Sequence, residues 1–552
     1  MKSIFRPLIL AFTLAALALP IAAQTIVRSH YVTATALPGG DGTAGAPWTL
    51  LEALAHPAAV KPGDTIWVKG GLYEKRHPDI WQPALRGTVE QPIILRAMPG
   101  ERVQVTGPWR IFGADAWYWG LEHTYTGTES RVSAEPGSGP TDQPVRGWVA
   151  IYGDRVKLIN PVIHDLNEGV NMFGAGVGRE VYGAIIYNVG WHGTDRGNGN
   201  GMYLQSSAGV QYVTDSISFN SFSTAMKGYG TAGAVKGLVF DGVMNFNAGA
   251  YAVDTPSQRG PSQNLLITTE QIPPDGISVT NSAFYHSAWQ RGNGATNIGI
   301  GRGDEQGGSV TVRNNYLAGG GGLGIANFAT VDVQQNLVYA RSIEGEQRHL
   351  ASSRITAAGA AWDRNAYFDG THPWAGDGRT YSFGAAQADR IWQGVGRSGL
   401  LGWRETTGYD ANSTYTVGRP TGTKVIVRPN RYEVGRAHIA VYNWGGAATV
   451  SADCSTVGLV SGDRYMVSDV QNLMGPPVAS GTYDGKPIAL PMTMTTVARA
   501  TGMSWEPKHT APEFAVFVLR KTQSAMGSSF LLRIFTDAQG RFLRAEPVEP
   551  MQ

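Results

Sequence analysis

The segments YVTDSISFN (Tyr212–Asn220) and VFDGVMNFN (Val239–Asn247) decide the fold of this 552-residue chain. In both, apolar residues alternate with other residues, and each ends on an aromatic residue followed by asparagine. Alternation with a period of two is typical of a half-buried β-strand. The pattern recurs, at intervals of roughly twenty to forty residues, in VYGAIIYN (Val181–Asn188), ISVTNSAFYH (Ile277–His286), VTVRNNYL (Val310–Leu317) and VDVQQNLVY (Val331–Tyr339).

Each repeat carries an aromatic or leucine anchor near its end. The anchors are Tyr187, Phe219, Phe246, Phe284, Leu317 and Tyr339. Asn281, Asn314 and Asn336 take the same place before the last three anchors. Side-chain amides can satisfy backbone groups of neighbouring coils, so we expect these asparagines to stack inside a turn of a solenoid.

A second, glycine-rich strand is predicted before each of these strands. The segments are EGVNMFGAG (Glu168–Gly176), NGMYLQSS (Asn200–Ser207), TAMKGYG (Thr224–Gly230), GAYAVDTP (Gly249–Pro256), TNIGIGRGDE (Thr296–Glu305) and GLGIANF (Gly322–Phe328). Their predicted inward residues are Val170, Met202, Met226, Tyr251, Ile298 and Leu323 or Ile325. Since side chains alternate between the two faces of a strand, the intervening residues are expected to face outward.

Stacking the coils predicts two outward columns. One column contains Asn171, Tyr203 and Lys227, followed by a small residue and then glycines. The second column consists of Phe173, Gln205, Tyr229, Asp254, Arg302 and Asn327. A face that mixes aromatic rings, amides and charges suits a sugar, because rings cover its C–H surfaces and polar groups bind its hydroxyls.

The segment RGNGNG (Arg196–Gly201) comes directly before the strand of Tyr203. It lacks the lysine and the Ser or Thr of a phosphate-binding loop, and no helical pattern follows it. A nucleotide cradle is therefore not indicated. We expect a turn at the edge of the groove, from which Asn198 and Asn200 can hydrogen bond to a ligand.

Composition narrows the class of protein. The chain has 72 glycines, only 16% charged residues and a formal net charge of +2. Because glycine disfavours helices, this composition favours short strands joined by many turns. Without a basic face, nucleic acid is not an expected partner. Cys454 is the only cysteine, so an intrachain disulfide and a multi-cysteine zinc site are excluded.

The first 23 residues are typical of a signal peptide. Lys2 and Arg6 precede the apolar run LILAFTLAALAL (Leu8–Leu19), and small residues precede Gln24. This run is too short for a membrane anchor, and no later segment reaches spanning length. We therefore expect a secreted or periplasmic bacterial protein.

The N-terminal part resembles a known fold family. PWTLLEALAHPAAVKPGDTIWVKGGLYEK (Pro47–Lys75) and GTVEQPIILRAMPGERVQVTG (Gly87–Gly107) look like the cap and first coils of right-handed parallel β-helix proteins of the pectin-lyase-like superfamily. The resemblance covers roughly Thr25 to Leu400 when the repeats are included. GWHGTDRGNGNGMYLQSSAG (Gly190–Gly209) also resembles an uncharacterised secreted bacterial subgroup, in which histidines are expected where this chain has Asn198 and Asn200.

The resemblance and the strand patterns together predict an all-β chain. A right-handed parallel β-helix is expected over residues 24–405, after the signal peptide of residues 1–23. A linker is expected over 406–424, an antiparallel β-sandwich over 425–521, and a linker with a frayed tail over 522–552.

The resemblance implies action on a polysaccharide. In β-helix lyases an arginine or lysine abstracts the α-proton of a uronate, which makes Lys227 the candidate base. Lys227 lies in sequence near aromatic residues that would lower its pKa. Arg302, close to Asp304 and Glu305, is the candidate for neutralising the substrate carboxylate. Some related lyases hold calcium in the groove, so calcium is a possible cofactor, although no cluster of aspartates is visible.

Two other classes of function remain open. Asp254, with Asp195 or Asp304, could provide the acid and base of a glycoside hydrolase, because two stacked coils can supply the required separation. A non-catalytic glycan-binding or cell-surface protein is the third possibility, since fold alone does not define activity. The sequence does not indicate the oligomeric state.

Overall fold

The computed structural model describes residues 28–252, 262–290, 295–301, 306–341, 349–353, 360–370, 383–387, 390–394, 403–405, 407–523, 531–536 and 542–548. The predicted parallel β-helix is confirmed. Each full coil contributes one strand to each of three long sheets, and consecutive coils pair in parallel, as in the match of Tyr212 with Val239. The predicted signal peptide, residues 1–23, lies outside the described residues.

Three sheets form the walls of the solenoid. Sheet 1 contains Ser29–Val32, Thr65–Val68, Ile93–Ala97, Ala116–Trp119, Lys157–Ile159, Glu180–Tyr182, Gln211–Thr214, Leu238–Asp241, Ile277–Thr280, Gly307–Arg313, Phe328–Gln334 and Ala361–Asp363. Sheet 2 contains Gly71–Tyr73, Val103–Thr106, Glu122–Thr124, Val162–His164, Ile185–Tyr187, Ile217–Phe219, Met244–Phe246, Ala283–Tyr285, Tyr316–Ala318, Leu337–Ala340, Ala366–Asp369 and Thr414–Val417. Sheet 3 contains Trp109–Ile111, Val149–Ile151, Val170–Met172, Met202–Leu204, Met226–Gly230, Leu265–Thr269, Thr296–Ile300, Gly321–Ile325, Ala351–Ser353, Phe383–Gln387 and, antiparallel to the last of these, Arg390–Gly394.

A short α-helix, Leu50–Leu54, lies where the sequence predicts the cap. Thr49 begins it with a capping box, in which its side chain accepts from the Glu52 amide while the Glu52 carboxylate accepts from the Thr49 amide. The helix buries Leu50 and Leu54 in the core of the solenoid. Among the described residues, no helix has the length and apolar character needed to cross a membrane.

The interior of the solenoid is an apolar column supplied by all three sheets. The predicted inward residues Val170, Met202, Met226, Ile298, Leu323 and Ile325 are all buried in this core. Within the expected strand at Gly249–Pro256, the described residues 249–252 do not form a strand. Ala250–Ala252 is a 3-10 helix whose Tyr251 stacks on Phe222, and the strand of that coil is Leu265–Thr269. The inward place belongs to Leu265, which pairs with Met226.

The predicted stack of amides exists, displaced by one residue in two coils. Asn281 and Asn314 have positive φ angles of 53° and 56° and are exposed, and Gln335 takes the corresponding place in the next coil. Asparagine tolerates this left-handed conformation better than most residues do. The buried ladder is made by the residues that follow, Asn315 and Asn336, and continues to Asn365.

The sheet 2 anchors show the same displacement. Tyr187, Phe219, Phe246 and Tyr285 form one outward column, with neighbouring rings of the first three 4.7–5.3 Å apart. The predicted anchors Phe284 and Leu317 instead face the apolar interior. A shift of one residue moves a side chain to the opposite face of a strand, so Phe284 and Leu317 are not equivalent to the other anchors.

The C-terminal part is antiparallel, as the sequence predicts. A five-stranded sheet contains, in spatial order, Thr423–Pro429, Arg436–Asn443, Phe514–Gln523, Arg464–Asp469 and Ala479–Thr482. A two-stranded sheet of Thr449–Ala452 and Ile488–Pro491 packs on one face of it through an apolar core that includes Cys454. Two 3-10 helices, Ser455–Val457 and Val470–Asn472, complete this region.

Two C-terminal boundaries differ from the expectation. Thr414–Val417, inside the expected linker, pairs in parallel with Ala366–Asp369 and so belongs to sheet 2. Within the expected tail, Leu531–Thr536 and Phe542–Val548 pair as an antiparallel hairpin. Backbone pairing with a neighbouring strand, rather than composition, defines these ends.

The strand Arg436–Asn443, second in the spatial order of the five-stranded sheet, is buried on both faces. Ala437, Ile439 and Val441 face the two-stranded sheet, whereas Ala440 and Tyr442 pack on the outward side of sheet 2. The Tyr442 hydroxyl donates to the carbonyl oxygens of Phe284 and Tyr316 of the solenoid. The C-terminal sheet is thereby fastened along the aromatic column of sheet 2.

A buried charged network lies at one end of this contact. His164 stacks on Tyr187, and its imidazole lies 3.1 Å from Glu122 and 2.7 Å from Asp165. Asp165 also accepts from Arg131 and from the amide of Thr501, a residue of the C-terminal part. Burial alone would lower the pKa of His164, but the two carboxylates raise it to about 9.

We expect replacement of Asn336 by alanine to destabilise the protein by about 1–3 kcal/mol, since it leaves buried ladder groups without partners. Its amide donates to Val312 and Asn365 and accepts from Asn315. Asn314→Gly, at an exposed left-handed position, is the matched control and should change stability by only a few tenths of a kcal/mol. Chemical denaturation of both variants measures this, and equal effects would contradict the assignment of the ladder.

We expect His164 to make stability depend on alkaline pH. Because its folded pKa, about 9, exceeds the unfolded value of 6.5, its contribution is complete below pH 6.5 and is lost as pH rises through about 9. Denaturation midpoints of wild type and His164→Gln across this interval measure the effect. The variant should be less stable at pH 6 and should lose less stability toward pH 9; parallel pH profiles would contradict the protonated network.

Candidate functional site

The outward residues of sheet 3 form the two predicted columns over their first three coils. Asn171, Tyr203 and Lys227 are in direct register. The following place holds Leu266 rather than a small residue, and Gly299 and Gly324 come next. Beside this column, Gln205 donates to the carbonyl of Tyr229, and Tyr229 pairs with Thr268.

A cleft of ≈ 1090 Å³ lies along the edge where the chain enters sheet 3. One wall is the segment 138–145 together with the β-ladder of Trp191–His192 and Gly197–Asn198; the floor comes from sheet 3. The lining residues are Ser138, Gly139, Pro140, Gln143, Pro144, Val145, Trp148, Asn167, Glu168, Trp191, Arg196, Gly197, Asn198, Gly199, Asn200, Tyr203, Phe222, Ser223, Thr224, Lys227, Tyr229, Ser262, Gln263 and Leu266.

Five residues predicted to form the site line this cleft. They are Asn198, Asn200, Tyr203, Lys227 and Tyr229. Asn171 and Gln205 lie on sheet 3 outside the lining. Asp254, Arg302 and Asp304 lie outside the described residues, so the neutralising role of Arg302 and the hydrolase role of Asp254 stay predictions from sequence.

Glu168 is a cleft residue that the sequence analysis did not single out. Its carboxylate accepts from the Asn200 amide at 2.8 Å and from the Asn200 side chain at 3.1 Å. Burial raises the pKa of Glu168 to about 7, although these hydrogen bonds and the charge of Lys227 act in the opposite direction. Glu168 can therefore both accept and donate a proton near neutral pH.

Glu168 could have been found by aligning the repeats. Val170, Met202, Met226 and Leu265 are in register along sheet 3. The residues two places before them form a third column, which lies on the lining of the cleft and consists of Glu168, Asn200, Thr224 and Gln263. The sequence analysis aligned only the outward residues within the strands and so overlooked the entry turn.

Lys227 lies among aromatic rings, as predicted. Its ammonium nitrogen is 5.4 Å from the ring centroid of Tyr203 and 4.5 Å from that of Tyr229. Burial lowers the pKa of Lys227, while the charge of Glu168 raises it. The Tyr229 hydroxyl in turn donates to Glu270.

Two buried polar groups on the cleft lack a partner among the described residues. These are the indole nitrogen of Trp191 and the side-chain oxygen of Asn200. Both residues are less than one tenth exposed. A buried polar group without a hydrogen bond is costly, so an unpartnered donor and an unpartnered acceptor on residues of one lining fit a ligand with hydroxyl groups.

The wall of the cleft is held by buried arginines and by Asp195. Asp195 accepts from the amide of Gly137 and pairs with Arg196 at 3.4 Å. Asn198 bonds to Arg196 through both its amide nitrogen and its oxygen, so it shapes the turn as well as lining the cleft. The Arg131 side chain, fully buried, donates to the carbonyls of Gly190 and Thr501.

Cations are the majority of charged groups on this lining. Among its described residues, Arg196 and Lys227 are basic and Glu168 is the single acidic one. The described part of the chain contains no group of three or more His, Cys, Asp or Glu side chains suited to a metal ion. The calcium that the resemblance makes possible stays a prediction from sequence.

Comparison with known proteins gives the following similarities. The chain matches no protein-family model and no curated protein sequence. Among solved structures, the GH136 lacto-N-biosidase from Eubacterium ramulus is 12% identical, covers 71% of this chain and 68% of its own, and has a TM-score of 0.42. A rhamnogalacturonan lyase is 13% identical, with coverage of 60% and 83% and a TM-score of 0.39. The pectate lyase Pel9A is 14% identical, with coverage of 64% and 82% and a TM-score of 0.35.

At these identities and TM-scores, the similarities assign neither an activity nor a substrate to this chain. The fold follows from its own three parallel sheets. The function must be argued from the cleft.

We expect Asn200→Ala to raise the pKa of Glu168 above about 7, because the lost side-chain hydrogen bond stabilises the ionised carboxylate. Asn198→Ala is the matched control, since its side-chain bonds reach only Arg196. Carbon-13 NMR titration of the Glu168 carboxyl measures both variants. A pKa of Glu168 that is unchanged in Asn200→Ala would contradict this description of the site.

Proposed function

We propose that this protein is a polysaccharide lyase that cleaves a uronate-containing chain by β-elimination in the cleft. The observation that carries the proposal is the presence on one cleft lining of Glu168, whose carboxyl has a pKa of about 7, and of the cation of Lys227 among tyrosine rings. Elimination needs a base for one C–H bond and a positive charge for the neighbouring carboxylate.

Glu168 is the proposed base. Its ionised carboxylate takes the proton from the carbon next to the uronate carboxylate, and the electron pair of that bond forms the enolate. The enolate collapses to a carbon–carbon double bond as the bond to the glycosidic oxygen breaks. That oxygen receives a proton from Tyr203, whose burial raises its pKa and keeps the hydroxyl protonated. After the product leaves, water carries the proton from the Glu168 carboxyl back to Tyr203, so that both groups return to their starting states.

Lys227 is the proposed neutralising cation. An ammonium group beside the substrate carboxylate stabilises the enolate that forms when the proton leaves. The sequence analysis proposed Lys227 as the base. Two observations support exchanging these roles. A carboxyl with a pKa of about 7 is ionised at neutral pH more readily than a lysine is deprotonated. In addition, the charges of Glu168 and Lys227 influence each other's pKa.

The distribution of charge supports elimination over hydrolysis. A glycoside hydrolase requires two carboxyl groups around the scissile bond. The described lining offers one carboxyl, Glu168, together with two cations. The nearby Asp195 is hydrogen-bonded to Gly137 and paired with Arg196. Two cations and one base match an anionic substrate. Action on an extracellular polysaccharide also agrees with the signal peptide expected from sequence.

We expect Glu168→Gln to lower kcat by roughly 10²–10⁴-fold while binding of the polysaccharide persists. In wild type, activity should rise with pH through about 7 as Glu168 ionises, and fall at alkaline pH as Lys227 loses its charge. Ultraviolet absorbance of unsaturated uronate products, followed on a panel of acidic and neutral polysaccharides, measures the reaction. Reducing ends without this absorbance would replace the lyase by a hydrolase, and binding without either product would indicate a glycan-binding protein.

Two substitutions of Lys227 separate its possible roles. If Lys227 acts as a cation, Lys227→Arg should retain activity within about tenfold of wild type, whereas Lys227→Met should lose roughly 10²–10³-fold. If Lys227 were the base, activity would rise rather than fall as Lys227 loses its proton at alkaline pH, and Lys227→Arg would shift that rise to higher pH. Thermal melting of both variants controls for loss of the fold.

A further inference from the structure

The outward face of sheet 3 continues beyond the cleft toward the N-terminal coils. Tyr203, which lines the cleft, pairs with Asn171, Asn171 pairs with Ala150, and Ala150 pairs with Arg110. Arg110 is exposed. With about 4.8 Å between neighbouring strands, the coil of Arg110 lies about 19 Å along the solenoid from that of Lys227.

Aromatic rings follow the neighbouring column. Ile111, Ile151, Met172 and Leu204 are in register on the inward side, so the residues after them share the outward column, which reads Phe112, Tyr152, Phe173 and Gln205. The rings of Phe112 and Tyr152 stack with centroids 5.2 Å apart, and Phe173 contacts Tyr203 edge-on at 5.3 Å. An aromatic path thus runs from the surface of the early coils to the cleft.

These rings are accessible. Phe112 is 44% exposed and Tyr152 is 37% exposed, whereas the aromatic column of sheet 2 is covered by the C-terminal sheet. Adjacent exposed aromatic side chains, here directly after two paired strands, mark a surface that binds a partner with an apolar side. Exposed aromatic rings of this kind suit the C–H surface of a pyranose.

Polar groups of the same face point to a ligand independently. The side-chain oxygen of Asn171 is buried, with the residue only 8% exposed, and has no hydrogen-bond partner among the described residues. Asn171 lies between Ala150 and Tyr203, so its outward position is next to the rings. Arg110, at the far end, supplies a guanidinium that can bind a carboxylate through two hydrogen bonds.

We propose that the surface formed by Arg110, Phe112, Tyr152, Asn171 and Phe173 binds the part of an acidic polysaccharide that extends out of the cleft. The proposal rests on the proposed function for the identity of that chain. The substrate is accordingly a long uronate polymer laid along the solenoid, with several sugar units bound on the N-terminal side of Lys227. A disaccharide occupying the cleft alone does not reach Phe112 and Tyr152, which lie four and three coils from Lys227.

The test compares short and long ligands on a protein that cannot turn them over. In the Glu168→Gln background, calorimetry measures binding of a digalacturonate and of a long oligogalacturonate, with cello-oligosaccharides as neutral counterparts. Adding Phe112→Ala and Tyr152→Ala should weaken binding of the long acidic ligand roughly tenfold and leave the disaccharide unchanged. Arg110→Gln should weaken the long acidic ligand and not the long neutral one.

Tyr212→Ala is the matched control, a partly buried tyrosine on sheet 1 away from the cleft, and should bind both ligands as the background protein does. If removing both rings leaves the preference for long ligands intact, the proposed surface is wrong, whatever the activity of the cleft. If the rings matter equally for long neutral ligands and Arg110→Gln has no effect, the assignment to acidic chains is wrong. If the wild-type protein forms no unsaturated product although ring-dependent binding is retained, the proposed reaction is wrong instead.

Discussion

Parallel hydrogen bonding between successive coils is the constraint on which this structure depends. Each strand takes its partner one coil away, so residues with the same offset from a paired position lie directly above one another, about 4.8 Å apart. One register therefore determines many contacts at once. It aligns the apolar interior, the asparagine ladder and the aromatic columns, and it brings Glu168 beside Asn200 and Tyr203 beside Lys227.

The two aromatic columns illustrate how one register serves two purposes. On sheet 2 the column from Tyr187 to Tyr285 is covered by the five-stranded sheet, whose strand Arg436–Asn443 is buried on both faces. On sheet 3 the rings of Phe112 and Tyr152 stay exposed and lead to the cleft. The covered column stabilises the joint between the two parts of the chain, and the exposed one is left for a ligand.

The chemistry of the cleft arises from where charges meet apolar surface. Glu168 carries its raised pKa because burial disfavours the ionised carboxylate more than Asn200 and Lys227 favour it. Arg131 holds the wall of the cleft and donates to the carbonyl of Thr501. Asp165, which pairs with Arg131, accepts from the amide of Thr501. The C-terminal part therefore supports the shape of the cleft without contributing a lining residue among those described.

By itself the sequence determined the solenoid, its inward residues and the antiparallel C-terminal part, because alternation and repetition are local signals. It also predicted five residues that line the cleft: Asn198, Asn200, Tyr203, Lys227 and Tyr229.

The sequence analysis misplaced four residues by one position: Asn281, Phe284, Asn314 and Leu317. A turn can differ in length by one residue without any change in the alternating pattern of the strand beside it. Only the tertiary structure decided that Glu168 belongs to the site, that Leu265–Thr269 replaces the expected strand at Tyr251, and that Phe112 and Tyr152 stay uncovered. The pKa of Glu168, the strand that pairs with Met226–Gly230 and the exposure of Phe112 and Tyr152 share one cause. Each is decided by residues of another coil, which lie tens of residues away along the chain.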